Sequence, residues 1–117
     1  MFINGDHIIE VKTCGDQNRE DVLETIERTI EAINTLKAQG RRLLILTDVE
    51  RVRKNDMGAR FAATQFVKLP FEKNAVYGGS PYVKYLGIFV IAAAGQAHRM
   101  RHLGTREKAL EWLKAVP

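Results

Sequence analysis

Between Arg19 and Gln39 the apolar positions Val22, Leu23, Ile26, Ile30, Ile33 and Leu36 fall three and four residues apart, the spacing that gathers them into one stripe of an α-helix. Asn18 can cap the start of that helix, Gly40 can end it in the left-handed conformation, and the acids of its first turn complement the helix dipole. Strand patterns alternate with helical ones along the rest of the chain. HIIEV (7–11) is short and β-branched and is followed by the turn-like CGDQN, so it reads as a strand and a turn. RLLILTDV (42–49) is a continuous apolar run too short for a helix between its flanks, and it reads as a central strand covered on both faces. After a polar loop ERVRKND, Met57 to Leu69 carries Phe61, Phe66 and Leu69 on one helical face and stops before Pro70. NAVYGG (74–79) reads as a short strand, Ser80 and Pro81 as the N-cap and first residue of a helix, and Met100 to Leu103 as a strand. Thr105 caps a last helix whose inner side is Ala109, Leu110, Trp112 and Leu113. MFINGD can add a leading strand that pairs with HIIEVK through a tight Asn4-Gly5 turn. The alternation predicts an α/β fold in a single domain over 1–117, with a four- to five-stranded mixed, mostly parallel sheet and about four helices.

One stretch does not fit a simple cover helix. GGSPYVKYLGIFVIAAAG (78–95) begins like a phosphate-binding glycine turn and continues almost like a membrane segment. A Walker loop needs Lys followed by a hydroxyl residue at a fixed distance from the first glycine, and a dinucleotide fingerprint needs three glycines in its own pattern; neither is present. A membrane span needs about 20 apolar residues, and Lys84 interrupts this run before Gln96, His98 and Arg99 end it. What remains is a helix greasy on more than one face, with Tyr82, Val83, Tyr85, Leu86, Ile88, Phe89, Val90 and Ile91 distributed around it. Such a helix has apolar surface left over for a subunit, a ligand or a lipid surface, unless the segment packs internally as strand. Tyr77, Tyr82 and Tyr85 are read as lining the edge of the core.

Composition narrows the setting. Hydrophobic residues at 45% and charged residues at 27% are ordinary globular values, so the chain is expected to fold. A lone Cys14 makes no internal disulfide, and the amino terminus lacks the basic start and apolar core of a signal peptide, so a cytoplasmic location is expected. The net charge of +4 is unevenly spread. Glu20, Asp21, Glu24, Glu27 and Glu31 crowd the first helix, whereas RVRK (51–54) and HRMRHLGTREK (98–108) are basic. No aromatic residues interleave with the basic clusters as stacking platforms for bases, so no nucleic-acid partner is expected.

The stretches GRRLLILTDVERVRKNDMGARFA, NAVYGGSPYVKYLG and TREKALEWL together resemble the STAS domains related to bacterial anti-sigma-factor antagonists, in particular the STAS/SEC14-type group, over nearly the whole chain. The resemblance implies helices packed on a mixed sheet and a domain that binds a partner or a small apolar ligand without catalysis. It also implies a partner-binding loop after the central strand, here beginning at Asp48, in which Asp56 falls on the family's aspartate and Met57 on the serine that a partner kinase phosphorylates. Methionine cannot accept phosphate, and Thr47 and Thr64 are the nearest hydroxyl residues, so the usual phospho-switch is not expected. Asp56 can equally serve as N-cap to the helix that Met57 opens.

Other candidate chemistry is sparse. His98 and His102 lie four apart but on a predicted loop and strand, without an accompanying carboxylate or cysteine, so no metal is expected. Asp48 and Asp56 have no nucleophile or oxyanion site beside them, and His7 and Cys14 are separated by a strand's length. No enzyme and no cofactor are expected. Two functions follow. One is a regulatory binding module that docks a protein partner through Asp48, Asp56, Met57, Gly58 and Arg60 and self-associates as a homodimer. The alternative is a carrier or sensor of a small apolar ligand such as a lipid, held between Phe61 and Phe66 on one helix and Tyr82, Tyr85, Leu86 and Phe89 on the other, with Arg60 or Lys84 at the mouth.

Overall fold

A computed structural model describes residues 1–55, 58, 64–66, 68–93 and 95–115. Its elements are β1 (Phe2–Ile3), β2 (Ile9–Gln17), α1 (Arg19–Ala38), β3 (Leu44–Asn55), β4 (Lys73–Tyr77), α2 (Pro81–Ala93), β5 (Met100–Leu103) and α3 (Arg106–Lys114), with Gly58 and Thr64 to Phe66 also helical. The five strands form one sheet in chain order, antiparallel between β1 and β2 and parallel from β2 to β5. This is the α/β architecture with a mixed, mostly parallel sheet that the alternation of patterns predicts.

The strand order makes the two faces of the sheet unequal. Successive right-handed crossovers that always step in the same direction return over the same face. That face carries Ile9, Val11, Ile45 and Met100, which pack with Ile33 and Leu36 of α1 and Ile91 of α2. The residues between them in sequence point the other way. Ile8, Leu44, Leu46, Ala75 and Tyr77 form a second core with Ala109 and Leu113 of α3, the helix that closes the opposite face.

α1 begins and ends as its sequence requires. The Asn18 side chain accepts from the Asp21 amide at 2.9 Å, and the Asp21 carboxylate accepts from the Asn18 amide at 3.0 Å, closing a capping box. Gly40, at φ 67°, turns the chain out of the helix.

Three expectations need correction. CGDQ is not a turn, and ERVRKN is not a loop: β2 runs on to Gln17 and β3 to Asn55, paired with each other beyond the last rung of β4, Asp48 to Tyr77. Two register shifts let β2 follow β3 here, one before Cys14 and one after Gly15, which lies at φ 68°. The β1–β2 connection is not a tight Asn4-Gly5 turn. It runs from Asn4 to Ile8, with His7 at φ 60° and the Asn4 side chain accepting from the amides of Asp6 and Ile8.

Candidate binding surface

The glycine turn at 78–79 is a packing device. Gly78 and Gly79 lie at φ 86° and 89°, in the region that favours glycine. A Cβ on Gly78 would stand 2.0 Å from Cγ of Glu50, and one on Gly79 would stand 2.9 Å from Cγ1 of Val83 and 3.3 Å from the carbonyl oxygen of Val49. The missing side chains let the β4–α2 corner lie directly against β3. Ser80 then caps the helix, its Oγ accepting from the Val83 amide at 3.2 Å, and Pro81 opens it.

α2 carries its polarity inside out. Among its described side chains only Val83 and Ile91 are buried against the sheet, whereas Tyr82, Tyr85, Ile88 and Phe89 are 58%, 71%, 43% and 70% exposed. Residues 82, 85 and 89 stack along one face of a helix, with 88 at its border and Ala92 continuing it. Lys84 is the one charged residue of the helix. The outward half of α2 is therefore a continuous aromatic and aliphatic surface, the reverse of a cover helix. Tyr82 and Tyr85 do not line the core edge; Tyr77 does, at 5% exposure.

The other sequence-selected residues are distributed differently. Asp48 stands inside β3 and does not open the loop; its carboxylate accepts from the Glu50 amide at 2.9 Å. Asp48 and the proposed partner loop are thus separated by the remainder of β3. Gly58 is helical and Phe66 is half-buried, while Asp56, Met57, Arg60 and Phe61 lie outside the described residues, as does the side chain of Leu86. His98 is exposed in a turn and His102 is on β5 with its Nε2 bound to the Gly78 carbonyl, so the two do not form a helical pair. Among the described residues no group of three His, Cys, Asp or Glu side chains could hold a metal ion.

A polar cluster on the α3 face has no counterpart in the sequence reading. Glu10 accepts from Arg106 at 2.5 Å and from the Asn4 side chain at 2.9 Å, and Arg106 reaches the Tyr77 hydroxyl at 3.4 Å. The hydrogen bond from Arg106 holds the Glu10 carboxyl below its usual range against the opposing effect of burial, and raises Arg106 in turn. Burial pushes the Tyr77 phenol up. The cluster ties the amino-terminal hairpin, β2, β4 and α3 together. Its one sequence signal is an acid in the middle of the apolar strand HIIEV.

Strand order and the placing of α1 and α2 on one face of the sheet and α3 on the other define an α/β architecture of a sheet covered by helices on both faces. The chain is similar to the crystal structure of an uncharacterized protein of the DUF3478 family with a SpoIIAA-like fold from Shewanella loihica PV-4, with a TM-score of 0.61 and 17% identity over 89% of this chain and 82% of that one. The protein has the SpoIIAA-like fold, which is the fold of STAS domains and anti-sigma-factor antagonists. No family model matches the sequence, and no curated protein matches it. No helix among the described residues is long and apolar enough to cross a membrane.

Proposed function

We propose that the protein is a non-catalytic, regulatory STAS-like binding module that self-associates through the outward face of α2 and docks a further protein partner with the loop from Asp56 to Arg60. The observation that carries the first part is the exposed stripe Tyr82, Tyr85, Ile88 and Phe89. Aromatic residues concentrate at the centres of protein interfaces, and a two-fold axis lets one patch serve both partners. The stripe is bulky from Tyr82 to Phe89 and small only at its end, at Ala92 and Ala93. An antiparallel crossing of two α2 helices would bring the Tyr82 end of each toward the alanine end of the other. The loop rests on the resemblance to the antagonists, and methionine at the phosphorylated position leaves its docking without that switch.

Native mass spectrometry of protein purified from its own cells tests this reading, alongside Tyr85→Glu. The expected result is an adduct-free dimer for the natural chain and a monomer for the variant. A monomer that carries an adduct of a few hundred daltons, lost on denaturation, supports the apolar-ligand carrier instead. A bare monomer at tens of micromolar overturns self-association.

A further inference from the structure

The ring of His102 holds the corner from which α2 departs. Its Nε2 lies 2.9 Å from the carbonyl oxygen of Gly78. A carbonyl only accepts, so Nε2 carries the proton, and Nδ1 of the neutral ring is a bare acceptor. That Nδ1 is buried and meets no hydrogen-bond partner among the described residues. The Gly78 corner has no room for a side chain beside Glu50 at Gly78 or beside Val83 at Gly79, and Ser80 caps the Val83 amide. Ring, corner and first turn of α2 are one packed unit, and beyond it Ile91 is the next buried side chain described on the helix.

Protonation would place an N–H and a positive charge at Nδ1, where nothing described accepts it. Desolvation of the charge is the dominant cost, the positive charge of Lys84 adds to it, and the strengthened bond to Gly78 opposes both; the balance holds His102 below the ordinary histidine range. The groups around the ring offer no compensating carboxylate from the described elements beside it. β4 presents Val76 at the same rung, and Lys84 comes from α2. Arg101 and Arg106 face the other side of the sheet, over Trp112 and against Glu10, and Tyr77 lies on that side with them. Glu50 is exposed behind Gly78.

We propose that His102 is a proton-sensitive latch on α2: neutral, it holds the Gly78 corner and seats the helix on β5; protonated, it leaves the corner for solvent and α2 loosens. The inference supplies a regulation for the docking face and rests on the proposed function for that consequence, while the latch itself does not depend on it. The sign follows from linkage. The unfolded or released ring binds a proton at about pH 6.5 and the seated ring only below that, so the seating of α2 is fully supported above about pH 6.5 and is lost as the pH falls through the seated value.

Two measurements on the intact protein test the latch. Ring nitrogen NMR should find the Nε2–H tautomer at neutral pH and a titration midpoint below the ordinary histidine value. Amide hydrogen exchange, corrected for intrinsic rates, should show protection in α2 falling by about fivefold or more between about pH 7.5 and pH 5, with α1 unchanged and with no such fall in His102→Gln, which keeps a donor but does not titrate. An Nδ1–H tautomer, a midpoint at or above the ordinary value, or the same loss in α1 or in the Gln variant overturns the proposal. Should the variant not fold, the ring titration of the natural chain still decides. A natural chain that is monomeric at neutral pH yet shows the titration and the α2-specific loss sinks self-association and leaves the latch standing.

Discussion

α1 and α2 lie on the same face of the same sheet, yet they divide their residues in opposite ways. α1 turns Ile26, Thr29, Ile33 and Leu36 inward and keeps Glu20, Glu24, Glu27, Arg28 and Glu31 in solvent. α2 buries Val83 and Ile91 and gives its aromatic residues to the outside. Their beginnings differ as well, since α1 starts from a side-chain capping box and α2 from two glycines pressed against β3. The contrast separates two jobs. One helix turns most of its apolar residues toward the core, and the other leaves most of its described ones exposed.

The largest expected effect tests the corner that launches α2. Gly78→Ala places a methyl group within the space of Glu50 and forces a non-glycine residue to φ 86°. Left-handed strain and overpacking together are expected to cost about 3 kcal/mol in chemical denaturation. Gly40→Ala, at φ 67° with nothing within 4 Å of the new Cβ, is the control after α1 and should cost about 1 kcal/mol. Equal losses at the two sites would mean that the close approach to β3 contributes nothing.

A smaller effect is expected across the sheet, where the Glu10–Arg106 pair fastens α3. Glu10→Gln should cost about 1 kcal/mol near neutral pH, because a neutral amide still accepts from Arg106 but without the charge. The carboxyl of Glu10 is held below its ordinary value of 4.5, so its contribution is present above that pH and is lost as the pH falls through the lower, folded value. Stability profiles of the natural chain and the variant should therefore converge in acid. A constant gap across the whole range would show that packing and not charge is lost.

How far each region was legible follows the same division. α1 was readable in its bounds and its caps, because Asn18 and Gly40 are local signals that agree with the apolar period, but not in every buried position. Ile26, Ile33 and Leu36 are buried as the stripe predicts, Val22 and Leu23 are half-buried, Ile30 is exposed and Thr29 is buried in the core. β5 was placed at Met100 to Leu103 from the rhythm of the chain, and Ser80 and Pro81 marked the start of α2. The extensions of β2 and β3 were not readable. Their residues pair with each other beyond the rest of the sheet, so they need no apolar alternation, and polar sequence there looks like turn and loop. Glu10 and Arg106 are 96 residues apart, a pairing that no local pattern encodes. In α2 the surplus of apolar residues was plain, but which of them turn outward depends on the narrow contact through Val83 and Ile91, which only the packed structure defines. The tyrosines were accordingly placed at the core edge when two of the three stand in solvent.

The smallest expected effect bears most directly on the comparison. Phe89 is as large and apolar as the core residues of α1, but it is 70% exposed. Phe89→Ser should therefore change the folding stability of the dilute, dissociated chain by no more than about 0.5 kcal/mol, whereas truncation of a buried aromatic residue costs about 3–5 kcal/mol. The same substitution should abolish any dependence of the melting temperature on protein concentration, because an interface that binds only folded chains stabilises them by mass action. The two readouts separate folding from association at one residue. A loss of several kcal/mol in dilute protein would show that Phe89 is covered within a single chain, and α2 would then be a cover helix like α1. A neutral change in dilute protein, together with a loss of concentration dependence, fits only a face whose apolar surface completes itself against another molecule.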